Sequence, residues 1–128
     1  QARARFEESL RLSYESGDKL GIAVSLEGLA ALAATERDSI RAARLFGAAQ
    51  VLRESFGMPL PTGLSGNYDR AVATARTQFF DQASFDKAWA DGRVMTLEQA
   101  IDYALGRNAE SSNFVQEEKG WLTTTAAG

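Results

Sequence analysis

A chain of 128 residues with 45% hydrophobic side chains and a formal charge of −3 is long enough for one ordinary domain and too short for two that each bury a core. Its 22 Ala and 13 Leu outnumber 8 Ile plus Val, a usage that favours helices at close approach and effectively excludes an all-β fold. With no Cys and no His, disulfides, thiolate chemistry, imidazole metal ligands and the usual general base at neutral pH are missing, and most familiar active sites go with them.

In chain order, Ala2, Phe6, Ser9, Leu10 and Ser13 fall at steps of three and four in a polar background, which predicts a first helix ending near Gly17-Asp18. A second helix is predicted from about Gly21 to Thr35, with Ile22, Leu26, Leu29, Ala30 and Ala33 on one face, before Glu36-Arg37-Asp38-Ser39 breaks the pattern. A third runs from about Ser39 to Phe56, burying Ala42, Leu45, Phe46, Ala49, Leu52 and Phe56, and Gly57 stands where a left-handed terminating residue belongs. The second and third helices form an antiparallel hairpin. Met58-Pro59-Leu60-Pro61-Thr62-Gly63 cannot continue a helix, because the prolines remove donors and push their neighbours into extended backbone.

Beyond this joint, Tyr68, Val72, Ala75 and Phe79 mark a fourth helix over about Asn67 to Phe80. Asp81 caps a fifth that carries Phe85, Ala88 and Trp89 and stops at Gly92. Thr96-Leu97-Glu98-Gln99 has the form of a capping box ahead of Ala100, Ile101, Ala104 and Leu105, the sixth helix. Residues 108–128 turn to Asn, Ser, Glu, Thr and Gly, the composition of disorder. Their isolated Phe114, Trp121 and Leu122 suit contact with the chain's own domain or with a neighbouring molecule. The expected organisation is therefore 1–57 as hairpins, 58–66 as the joint, 67–107 as a three-helix extension packed on them as one domain, and 108–128 as a polar tail.

Basic and acidic side chains number 8 and 8 in residues 1–60 and 6 and 9 in 61–128, so neither half builds the positive field that a phosphate backbone needs. The longest apolar stretches, such as Gly28 to Ala34, are far below the roughly 20 residues of a membrane span. No signal-peptide pattern opens the chain, and a cytoplasmic location without membrane contact is the expectation.

A shift of 40 residues lays Ala2 on Ala42, Phe6 on Phe46, Ser9 on Ala49, Leu12 on Leu52 and Gly17 on Gly57. Leu26, Leu29, Ala30 and Ala33 supply the large, large, small, small positions of the first helix of a tetratricopeptide repeat, and Ala42, Phe46 and Ala49 those of the second. Leu26 stands where that motif has Trp, Ala33 where it has Tyr, and no Pro closes the unit at Glu54, so the repeat is a degenerate one. Three longer runs, Gly21 to Ala33, Ala42 to Glu54 with Gly57 to Pro61, and Phe85 to Leu105, resemble the C-terminal helical region of large bacterial signalling ATPases and transcriptional regulators, including LuxR-type regulators.

That resemblance, over about residues 5–106, implies an all-α arm of antiparallel hairpins in a modular chain, sensing a ligand or partner through protein–protein or intramolecular contacts. No Gly-rich phosphate loop occurs, so neither a nucleotide nor another cofactor is assigned, and no helix-turn-helix is recognisable after Leu105. A cyclase or kinase effector stays open beside a DNA-binding one. Starting inside a repeat predicts an exposed apolar edge at Phe6, Ile22 and Leu26, available for self-association.

Candidate chemistry is sparse. Ser16-Gly17-Asp18-Lys19 fits a serine-to-lysine nucleophile spacing but reads better as a turn. Glu7-Glu8 and Glu117-Glu118 point about 100° apart on a helix and share no substrate, and Asp81, Asp86 and Asp91 do not lie on one face, so no metal is expected. Phe85 and Trp89, one turn apart, are assigned to packing. Transfer from peptide-binding tetratricopeptide domains places Val24, Glu27, Ala31 and Ala34 on the concave side of the second helix, the site proposed on sequence grounds. A non-catalytic role is the expectation, since an enzyme would need two titratable side chains converging in a cleft, and a helical sensor enclosing a small ligand is the alternative.

Overall fold

The computed structural model describes residues 1–60 and 65–106, with the remainder of the joint and the tail expected at 108–128 outside the described residues. Among the described residues the architecture is all-α, as the composition demanded: α1 (Ala2–Ser16), α2 (Lys19–Thr35), α3 (Ser39–Phe56), α4 (Ser65–Thr77), α5 (Gln82–Arg93) and α6 (Leu97–Leu105). α2 and α3 form the central hairpin. α1 lies along α2, α5 lies along α3, α4 crosses both members of the hairpin, and α6 closes against α3, α1 and α2.

Local chemistry sets the boundaries. Gly17, Gly57 and Gly106 adopt left-handed backbone at the ends of α1, α3 and α6. Asp18, Asp38 and Asp81 accept from the amides of Gly21, Arg41 and Ser84, so α2 starts at Lys19, two residues earlier than its apolar pattern. Thr96 and Gln99 close both halves of a capping box. α4 ends at Thr77, short of the expected Phe80: the Gln78 and Phe79 amides donate three residues back, to the Ala75 and Arg76 carbonyls (3.1 and 3.2 Å), and the Gln78 side chain donates to the Ala34 carbonyl at the end of α2 (2.8 Å).

Leu10, Ile22, Leu26, Leu29, Leu45, Phe46 and Ile101 are fully enclosed, and Ala33, Ala34, Ala42 and Ala75 form a separate cluster of small side chains where α2, α3 and α4 meet. An aromatic train crosses three helices. Phe46 meets the edge of Tyr68 (centroids 5.3 Å) and stacks with Trp89 (6.0 Å), Trp89 meets Phe85 (5.5 Å), and Phe85 meets Phe79 edge-on (5.5 Å).

Gly92 does not stop α5; the helix runs through it. Its role is steric, because a Cβ there would lie 1.9 Å from the Arg44 carbonyl oxygen, and one at Gly47 would lie 2.1 Å from the Trp89 carbonyl oxygen. Two glycines facing opposite backbones let α3 and α5 touch main chain to main chain.

The exposed apolar edge expected at Phe6, Ile22 and Leu26 is not found. Ile22 and Leu26 are each 1% exposed, since α1 covers them, with Phe6 seated over Gly28 and the Ser25 hydroxyl donating to Ser9 (2.9 Å). Phe56, expected inside, is half exposed beneath the Lys19 ammonium. The open apolar side chains are instead Leu12, Leu20, Val24, Ile40, Phe56, Phe80 and Val94, with Tyr14 beside them. No helix among the described residues is long and apolar enough to cross a membrane.

Candidate functional site

The four residues assigned to the concave face do not share one open surface. Val24 is about half exposed, Ala31 is partly covered against the core, Ala34 is 1% exposed inside the alanine cluster, and Glu27 is drawn inward. The reason is α4, which lies across this face of α2 and covers its C-terminal half.

What the structure builds around Glu27 is a cleft of about 290 Å³ between α2, α3, α4 and the chain leaving α3, lined by Gln50, Arg53, Glu54, Met58, Pro59, Leu60 and Tyr68 among others. Glu27 is the one charged side chain in α2 after Lys19, and it cannot stay unpaired in an apolar helix against a core. Arg53, 26 positions along on the antiparallel α3, meets it in a fork: Nε donates to Oε2 at 2.6 Å and Nη2 to Oε1 at 3.0 Å. The same guanidinium donates from Nη1 to the Met58 carbonyl at 2.9 Å, so one side chain ties the hairpin together and pins the segment beyond Gly57.

The second wall is tied to α5. Gln50 Oε1 accepts from Trp89 Nε1 (2.8 Å) and from Arg93 Nη1 (2.7 Å), and Arg93 also forks onto Glu54. Hydrogen bonding to Glu27 holds the Arg53 pKa above its ordinary value against the opposing effect of burial. Burial, reinforced by the Glu27 charge, pushes the Tyr68 phenol up to about 12. Both groups therefore keep their protons at neutral pH, and Arg93 holds the Glu54 carboxyl below the usual carboxylate range.

The cleft can bind through apolar contact with Met58, Pro59 and Leu60; its arginine and tyrosine are not poised to exchange protons. Among the described residues no group of three or more acidic side chains is placed to hold a metal ion. Sequence reasoning named Glu27 but missed Arg53, Gln50 and Tyr68. The readable signal was a lone carboxylate in an apolar helix, which demands a cation across the hairpin.

Comparison with known proteins gives one set of relatives. The chain is 30% identical over 105 residues to proteins named as HTH-type transcriptional regulators in Mycobacterium bovis and in two strains of Mycobacterium tuberculosis. The match takes in 82% of this chain and 12% of each relative, so the chain spans about an eighth of the proteins it resembles. No family model and no solved structure matches it. The likeness to transcriptional regulators agrees with the coarser part of the resemblance stated above.

Proposed function

We propose that this chain is a non-catalytic helical arm of a multidomain bacterial transcriptional regulator, a degenerate tetratricopeptide-like stack that works through protein–protein or intramolecular contacts. The observation that carries the reading is the 30% identity over 105 residues to regulators whose bulk lies outside the matched segment. The hairpin order, α1 on α2 on α3 with α4 crossing, supports a repeat stack, and the balanced charge supports contact with protein and not with phosphate. The cleft's arginine and tyrosine, both fully protonated at neutral pH, support a binding role over acid–base chemistry. We place the arm in the cytoplasm, where such regulators act.

The experiment uses the full-length protein that carries this chain and a reporter driven by its target promoter. Val24→Asp and Leu20→Asp alter exposed side chains without opening the core, so they should leave the far-ultraviolet circular dichroism intact and change reporter output. Unchanged output on deletion of residues 1–106, or retardation of DNA by the isolated chain, would overturn the reading. A helical sensor for a small apolar ligand is the second reading, favoured by the 290 Å³ cleft. Its mark would be a ligand-dependent reporter response abolished by filling the cleft with Leu60→Trp.

A further inference from the structure

A second cavity, of about 310 Å³, opens between the start of α2, the C-terminal half of α3 and the α5–α6 junction. α3 borders both cavities, through opposite sides. Gln50, Arg53, Glu54 and Gly57 face the cleft, whereas Ala48, Val51, Leu52 and Ser55 face this cavity, a stripe two residues out of step on a helix of about 3.6 residues per turn. Its floor belongs to the core: Leu26, Ala48, Leu52, Met95 and Ala100 are all buried. Its size is at the lower end of small-molecule pockets, which run to roughly 300–1,000 Å³.

The described residues that line this cavity include no acidic side chain, and of its two cations one is unmatched. Arg93 already serves Glu54 and Gln50, and the hydroxyls are committed, Ser55 donating to the Val51 carbonyl (2.8 Å) and Thr96 accepting from the Gln99 amide (3.1 Å). Lys19 is different. Its ammonium lies over the Phe56 ring, 5.3 Å from the centroid, and among the described residues no carboxylate pairs with it. Asp18, its neighbour in sequence, is turned to the Gly21 amide (3.0 Å). Phe56 is 49% exposed and Lys19 is only partly buried, so ammonium and ring stand at the entrance, within reach of an incoming molecule. Lys19 also opens α2, the end of a helix where positive charge is disfavoured, and an anion beside it would offset that cost.

An apolar floor with one unmatched ammonium at its entrance is complementary to a molecule with an apolar chain and a single negative end. We propose that this cavity binds a small amphipathic carboxylate, its hydrocarbon chain lying on Leu26, Leu52, Met95 and Ala100 and its carboxylate accepting from the Lys19 ammonium beside Phe56. A neutral apolar molecule would bury the same surface and leave Lys19 unpaired, and an amine would set like charges together, so charge decides between ligands of one shape. The site goes beyond the contact-making role proposed above and is separate from the cleft.

The chain carries two methionines, Met58 in the cleft and Met95 in this cavity, so methyl-labelled methionine gives each cavity its own nuclear magnetic resonance signal. The test titrates the labelled 128-residue chain with octanoate, 1-octanol and octylamine. Octanoate should shift the Met95 methyl saturably, leave Met58 in place, and bind about fivefold or more tightly than octanol, with octylamine weaker still. Lys19→Gln should lose the margin of octanoate over octanol and still bind octanol as the parent does, while Lys19→Arg should keep the margin. Removing a cation from the start of a helix costs no stability, so Lys19→Gln should melt at or above the parent temperature; the comparison of probes on the parent chain needs no variant to fold. A silent Met95, a Met58 signal that moves in step with it, octanol or octylamine binding as well as octanoate, or a margin untouched by Lys19→Gln would overturn the proposal. The reporter assay reads something else: a chain that binds no octanoate but still controls transcription loses this site alone.

Discussion

Replacing Gly92 with Ala puts the packing of α3 on α5 to its sharpest test. The new Cβ would sit 1.9 Å from the Arg44 carbonyl oxygen and 2.7 Å from its carbon, where ordinary contacts begin at 3.4 Å, so the two backbones must part by roughly 1.5 Å. Both partners are main chain, and no rotamer change relieves the clash. Separation on that scale forfeits a quarter to a half or more of the dispersion energy between facing atoms, here those of Phe46, Ala88 and Trp89. Overpacking of this kind costs about 3 kcal/mol, and the better helix propensity of Ala returns about 1 kcal/mol at most. A net loss of about 2 kcal/mol should lower the melting temperature by roughly 10 °C for a domain of this size. Circular dichroism at 222 nm reads it directly. Gly47→Ala should behave alike, and Gly28→Ala should lose less, because its Cβ meets the swinging ring of Phe6. Gly66→Ala, where a Cβ meets nothing within 4 Å, should be neutral or slightly stabilising. A Gly92→Ala chain as stable as the Gly66→Ala control would refute main-chain contact between α3 and α5.

Two further outcomes follow from the cleft. Glu27→Ala strands the Arg53 charge, 7% exposed, and should cost about 3 kcal/mol in urea unfolding, most of it recovered in the double variant Glu27→Leu/Arg53→Met. Tyr68 holds its proton to about 12 in the folded chain against about 10 when unfolded, so between those values the native state binds more protons. Stability should therefore fall as pH rises through that window, and Tyr68→Phe should flatten the decline seen in alkaline melts.

Much of the fold was legible because apolar periodicity and end signals agree. Val72 and Ala75 are buried where the four-three-four step put them, and Asp81, Thr96 and Gly57 cap the helices their chemistry suits. Gly92 misled because the same residue serves two physical ends, termination and close approach, and only the position of α3 tells them apart. The turn after α2 offered no glycine to read: Arg37 takes the left-handed backbone there (φ 62°), held between the end of α2 and the Asp38 cap. At the cleft, Glu27 was visible as a carboxylate out of place. Arg53 was not, because pairing across a hairpin depends on how two helices are rotated about their axes, and periodicity fixes each rotation only to within a side chain or so.

The same geometry decides what a molecule entering the cleft would meet. Around the concave cleft the polar groups are already engaged: Arg53 serves Glu27 and the Met58 carbonyl, and Gln50 Oε1 takes two donors. A partner there gains apolar burial and disturbs bonds that brace the hairpin, so selectivity for its backbone is hard to build.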